Sequence, residues 1–163
     1  MMVDLRLMMA TFPTGVGVVT TVAGDGSPWG MTCTSLASVT LDPPSLLLCL
    51  RGGSPTLTAI LQSRAFALNL LQDDARETAE LFASGDPDRF QRVRWSVGPE
   101  ARGPHLLDAA HTIADCRLVR HTVVGSHTVV FGEVTTLTQP ADARPLLYGM
   151  RTFAKWPDPA YLS

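Results

Sequence analysis

Between Gly30 and Leu50 the chain reads GMTCTSLASVTLDPPSLLLCL, and its hydroxyls are the densest group of residues able to do chemistry. Thr32, Thr34, Ser35, Ser38 and Thr40 fall within nine residues, interleaved with Leu36 and Val39 and flanked by Met31 and Leu41. A buried hydroxyl without a partner costs roughly 1–3 kcal/mol, so a core strand does not tolerate five of them. A solvent-facing loop has no use for the apolar residues between them. Just beyond, Arg51-Gly52-Gly53-Ser54-Pro55-Thr56 reads as a turn into a helix, with Ser54 at the N-cap and Pro55 in the first helical position. Hydroxyls and open N–H groups at a helix start suit a phosphate. If antiparallel pairing brings the two stretches together, they form a donor-rich, apolar-walled groove suited to a flat heteroaromatic ring carrying a phosphate. A capped helix beside a threonine-rich strand explains the same residues through β propensity alone.

Other chemistries find little support. Cys33, Cys49 and Cys116 are odd in number and widely spaced, which argues against a disulfide framework or a structural zinc, and no metal site is expected. No Ser-His-Asp arrangement is evident. The 163 residues carry 13 Lys and Arg against 15 Asp and Glu, with no basic block, so neither nucleic acid nor a membrane surface is an expected partner. The longest strongly apolar run, Ser45 to Leu50, is far short of the roughly 20 residues that span a bilayer. The start, MMVDLRLMMATFPTG, lacks the pattern of a signal peptide, and a cytoplasmic location is expected.

The elements that must position these groups follow from periodicity and turn chemistry. Asp4 to Thr11 predicts a short helix and Gly15 to Val22 a strand with Val16, Val18, Thr20 and Val22 on one face. Gly24-Asp25-Gly26-Ser27 predicts a hairpin turn into a strand that enters the hydroxyl-rich stretch. Asp42-Pro43-Pro44 should end pairing, and Ser45 to Leu50 should be a strand buried on both faces. A helix follows Ser54, then a strand over Arg64 to Leu71. Asp73 is expected to cap a second helix, with Ala75, Ala79, Phe82 and Ala83 inward and Gly85 at its end. Two long strands, Thr112 to Val123 and Thr128 to Thr138, and a last one from Leu146 to Met150 complete the order. Mostly strands with two interposed helices and no linker predict one mainly β domain over 1–163, a closed antiparallel barrel rather than a doubly wound sheet.

Several motifs, taken in order, resemble one family. Phe12-Pro13-Thr14-Gly15-Val16, GMTCTSLASVTLDPPSLLLCL, RGGSPT, Phe66-Ala67-Leu68-Asn69-Leu70-Leu71, Leu81-Phe82-Ala83, Asp88-Arg89-Phe90 and Gly125-Ser126-His127 leading to Phe131-Gly132-Glu133-Val134 are similar to the flavin reductase component of two-component monooxygenases. The likeness spans roughly residues 10 to 150. It implies a homodimeric split β-barrel of Greek-key order with a few flanking helices. It also implies FMN or FAD near the dimer interface, reduced by NADH or NADPH, and a separate flavin-dependent monooxygenase that receives the reduced flavin. By the same resemblance, flavin-binding roles fall to Thr32, Cys33, Thr34, Ser35, Ser38, Val39, Thr40, Ser54 and Thr56, with Phe82 and Ala83 as further candidates. His127 is expected beside the nicotinamide, in nucleotide binding or hydride positioning, and Tyr148 and Arg151 are candidates to reach the pyridine nucleotide. Two features depart from the family pattern: Cys33 stands where alanine is common, and the tail Gly149 to Trp156 lacks the usual Arg-x-[Tyr/Phe] ending.

Hydride transfer needs positioning rather than a protein nucleophile, in keeping with the residues present. A non-catalytic flavin-binding barrel and a split-barrel oxidase acting directly on a bound substrate are the competing readings. The oxidase would need a basic cluster for a substrate phosphate, for which only Arg89, Arg92 and Arg94 are available.

Overall fold

A computed structural model describes residues 2–139, 142 and 144–158. A short helix, α1 (Leu5–Ala10), leads into a two-residue strand β1 (Thr14–Gly15), then β2 (Gly17–Val22) and β3 (Pro28–Cys33). Next come β4 (Leu36–Leu41), β5 (Pro44–Arg51), α2 (Pro55–Ser63), β6 (Ala65–Leu71) and α3 (Arg76–Ser84). After a 3-10 turn (Arg89–Arg92) follow two short strands, β7 (Trp95–Ser96) and β8 (His105–Leu106). The long β9 (Ala110–Val124) and β10 (His127–Thr138) precede β11 (Leu146–Gly149) and β12 (Thr152–Lys155).

The main sheet has the order β3-β2-β6-β9-β10-β5-β4, with every pairing antiparallel. Its two outermost strands, β3 and β4, are consecutive in the chain. Residues from both halves, including Val19, Cys33, Leu48, Phe66, Cys116 and Val130, meet in one core with Leu57 and Ile60 of α2, so the sheet is rolled around a common interior. The result is a mainly β, split antiparallel barrel. Gly132 shows how tightly it is filled: an added Cβ would lie 2.5 Å from Phe66 Cζ. A second core lies outside the barrel wall, where Val16, Val18 and Leu71 pack against Ala79 and Phe82 of α3 and Leu146 of β11. A small sheet, β1-β11-β12, closes that layer.

Local signals form as expected. Asp25 Oδ1 accepts from Ser27 N and Oγ in the first hairpin turn, where Gly26 takes φ +85°. Ser54 Oγ accepts from Leu57 N at 3.2 Å with Pro55 behind it, and Gly85 ends α3 at φ +74°. Other expectations need correction. The stretch from Pro28 to Leu41 is two strands, because the chain turns outward at Thr34-Ser35 and then pairs at the opposite end of the sheet. Asp42-Pro43 is the turn of the β4–β5 hairpin, across which pairing resumes at Leu41–Pro44. The strand buried on both faces is β2, sandwiched between the barrel interior and α3. On β5 only Leu48 and Leu50 are buried, since Leu47 and Cys49 face an open cavity beside α1. Asp73 does not cap α3, which begins at Arg76 after Ala75 with no side-chain cap. Ala83 faces outward. Among the described residues no helix is long and apolar enough to cross a membrane.

Candidate active site

The break between β3 and β4 makes the site. Alternation along β3 sends Met31 and Cys33 into the barrel and leaves Thr32 on its outer side, with Thr34 following in the break. Two adjoining cavities share Thr34 and Tyr148. One, about 580 Å³, lies between α1 and the outer side of β4 and β5, with Thr14, Ser35, Cys49 and Arg151 on its walls. The other, about 440 Å³, lies between β3, α3 and β12, where Val16, Thr32, Ala79, Ala83 and Phe153 line it. Tyr148 and Phe153 form a tilted ring pair with centroids 5.0 Å apart, and Arg76 sits over Phe153.

The hydroxyls divide into two classes. Thr32 Oγ1 donates to Ala79 O at 2.6 Å and ties β3 to α3. Thr40 bonds the backbone of Asp42, and Ser54 caps α2 while donating to Met31 Sδ. Thr34, Ser35 and Ser38 make no side-chain hydrogen bond among the described residues, and the first two face the cavities. Thr14 Oγ1 is the one buried side-chain polar atom there with no partner, and Thr14 lines the larger cavity. Leaving it unpaired is costly, so a ligand polar atom at this wall is favoured.

The charges point the same way. Among the described residues no carboxylate lines the larger cavity. Arg6 on its wall is held by Asp4 at 2.9 Å, whereas Arg151 makes no ion pair among the described residues. Met150 and Arg151 take φ +50° and +60° in the β11–β12 turn, a left-handed conformation that costs non-glycine residues roughly 1–2 kcal/mol each. That turn puts Arg151 beside the groove. Glu80 on the smaller cavity is paired with Arg76 at 2.9 Å. An anionic group therefore meets a cation and open hydroxyls, and an apolar ring meets Val16, Ala79 and the Tyr148–Phe153 pair. These residues fit a flavin.

The remaining sequence candidates are dispersed. Cys33 is buried, its thiol pushed up to about 11 by desolvation and donating to Ser35 O, so it is an inert packing residue. The Phe82 side chain is in the core, edge-on to Phe90 at 5.1 Å, and offers a ligand no ring face. Thr56 is buried at the start of α2. Ser38, Val39 and Thr40 lie on the exposed edge strand β4, where Thr40 pairs with Ser45. Ser45 and Arg51 are six residues apart on β5, about 20 Å of extended chain, so Ser38–Thr40 and Ser54 stand at opposite ends of that strand. His127 pairs with Arg51 and is exposed, its Nδ1 3.0 Å from Ser126 Oγ. It joins the Ser54 end of the barrel, where Gly52 N donates to Ser126 O, and lines neither cavity. Arg89, Arg92 and Arg94 lie away from the groove, and Arg92 and Arg94 pair with Asp86 and Asp108. Sequence reasoning missed Thr14, Val16 and Phe153 as groove residues; the first two stand inside the FPTGV motif but carry no chemical signal of their own.

The flavin reductase like domain profile matches residues 9–157. A flavin reductase (NADPH) of Lentzea aerocolonigenes is 49% identical over 94% of this chain and 89% of its own length. A flavin reductase (NADH) of Kitasatospora aureofaciens is 38% identical over 92% and 79%. The solved NADH:FAD oxidoreductase SgcE6 of Streptomyces globisporus C-1027, in complex with NAD and FAD fragments, superposes with a TM-score of 0.89 at 31% identity, covering 98% of this chain and 99% of that one. An outer groove of open hydroxyls on a split barrel, matched from end to end by these relatives, makes the chain a member of the flavin reductase-like family and an NAD(P)H-dependent flavin reductase.

Proposed function

We propose that the chain binds FMN or FAD in the groove centred on Thr34 and Tyr148, reduces it with NADH or NADPH, and hands the reduced flavin to a separate flavin-dependent monooxygenase. The observation that carries this reading is the meeting of two cavities at Thr34 and Tyr148, with open hydroxyls, an unpartnered Thr14 Oγ1 and the uncompensated Arg151 on their walls. Relatives named as reductase components, such as the reductase subunit HsaB of a flavin-dependent monooxygenase in Rhodococcus jostii, 36% identical over 88% of this chain, support the oxygenase partner. Bound flavin supplies the hydride acceptor, and the nicotinamide supplies the hydride. The protein holds the rings in register: apolar walls exclude water and Thr34, Ser35 and Thr14 offer hydrogen bonds to polar edges. Its anionic tail is drawn to Arg151.

The chain acts as a homodimer. The helix α1 buries none of its residues, and Leu7 and Met8 are exposed at its surface, as are Phe12 and, on β4, Val39 and Leu41. These flank the larger cavity, and a second copy over them would complete its wall and bury apolar surface. His127, on the open hairpin, is the proposed hydride-positioning residue contributed at the dimer edge.

Steady-state rates at the nicotinamide absorbance band with the four pairs of flavin and dinucleotide test the reading. Turnover with at least one pair is expected. Flavin retained through purification without dinucleotide consumption would instead mark a storage protein. Light scattering should give a mass near twice 17.5 kDa.

A further inference from the structure

A third cavity, about 640 Å³, lies past the C-terminal end of α3 at Gly85 and shares no lining residue with the groove. Trp29, Phe90 and Trp95 form its walls, and Arg89 lies among them. Arg89 is only 8% exposed. Its Nε donates to Gly30 O at 3.0 Å and its Nη1 to Asp86 O at 2.7 Å, both neutral carbonyls, and its guanidinium sits 5.8 Å from the Trp29 ring centroid.

Among the described residues no carboxylate pairs with Arg89. The nearest candidate, Asp86, is already engaged: its Oδ2 takes Arg92 Nη1 at 2.9 Å and its Oδ1 accepts from Asp88 N at 2.8 Å. Nη2 makes no hydrogen bond among the described residues. Buried charges are ordinarily paired, and an uncompensated one is expensive to keep. Here burial pulls the guanidinium below its usual range, against a smaller upward pull from the Asp86 carboxylate, which makes no ion-pair contact with it. The aromatic walls are held rather than loose. Trp95 Nε1 donates to Phe90 O at 3.0 Å, and the Phe90 and Trp95 rings meet nearly edge-on at 5.6 Å. One open guanidinium nitrogen provides for one negative charge, and rigid indole and phenyl surfaces provide for a flat ring.

We infer that this cavity is a second ligand site, separate from the flavin groove, which takes a planar aromatic monocarboxylate with its carboxylate on Arg89 and its ring between Trp29 and Trp95. Flavin phosphates carry more charge than the single open nitrogen answers, and neutral rings leave Arg89 unpaired.

The three tryptophans provide the readout, because Trp29 and Trp95 line the cavity and Trp156 does not. Titrating the full chain with 2-naphthoate should shift the indole N–H resonances of Trp29 and Trp95 saturably at millimolar concentration and leave Trp156 in place. The neutral amide, 2-naphthamide, should bind about tenfold more weakly or worse, as should naphthoate to Arg89→Gln. If Arg89→Gln fails to fold, Trp29→Leu, at the half-buried start of β3, should weaken binding several-fold. Saturating FMN should leave the naphthoate affinity unchanged even if flavin turnover proves absent. No saturable shift, equal binding of acid and amide, equal movement of Trp156, unchanged affinity in folded Arg89→Gln, or competition by FMN would each overturn the proposal.

Discussion

The two sides of the β3 edge carry neighbouring residues with opposite duties. Inward, Met31 and Cys33 join Phe66, Leu68 and Cys116 in the barrel core. Outward, Thr32 and Thr34 border the groove. Even the outer pair differ, because Ala79 O of α3 accepts a hydrogen bond from Thr32, while among the described residues no group bonds the Thr34 side chain. The same side-chain type therefore fastens a layer at one position and lines a cavity unbonded two residues later. What separates them is the position of a helix, not anything in the residues.

That division can be broken experimentally. Phe66→Ala removes a ring with no exposed surface from the inner side and should cost about 3–5 kcal/mol, read as a lower denaturant midpoint at unchanged slope. A loss under about 1 kcal/mol would show that the interior tolerates a void, against the crowding seen at Gly132. Thr32→Val deletes the bond to Ala79 and should lower stability by about 1 kcal/mol with little change in flavin KM. Thr34→Val should do the reverse: stability within about 0.5 kcal/mol of the parent and a flavin KM raised roughly three- to tenfold. Exchange of the two phenotypes would refute the assignment of roles.

The inner thiols add a pH dependence confined to strongly alkaline conditions. Burial holds Cys33 up at about 11 and Cys116 at about 12, against 9.0 for an ordinary thiol. Between these values the folded chain keeps protons that the unfolded chain has released. The stabilisation from the neutral thiols is therefore full below pH 9.0 and declines as pH rises through about 11. Melting temperatures across that window should fall less steeply in Cys33→Ala/Cys116→Ala. An equal slope would mean the thiols ionise freely in the folded state.

Much of this architecture was legible in the chain. The Asp25-Gly26 turn, the Ser54-Pro55 helix start, the Gly85 stop and the long β9–β10 hairpin all formed where local chemistry places them. The failures share a cause. Ser45 to Leu50 reads as buried on both faces because an apolar run carries no information about what covers it, and β5 is left with one face open. Asp73 has the right type for a cap, but its backbone N–H donates to Arg144 O and the helix starts later. The hydroxyl cluster contributes Thr34 and Ser35 to the cavity wall, yet its members separate once β3 and β4 part there.

By itself the sequence determined the local elements and the family, and singled out the region proposed to hold a flavin, since caps, turns, alternation and ordered motifs act within a few residues. Only the tertiary structure decided which hydroxyls remain open. Thr32 is silenced by a carbonyl 47 residues away, and the Thr14 hydroxyl is left buried and without a hydrogen-bond partner on a strand that pairs with Tyr148. Hydrogen-bond capacity is exhausted or spared by whatever packs nearest, and in a rolled sheet the nearest neighbour is distant in the chain.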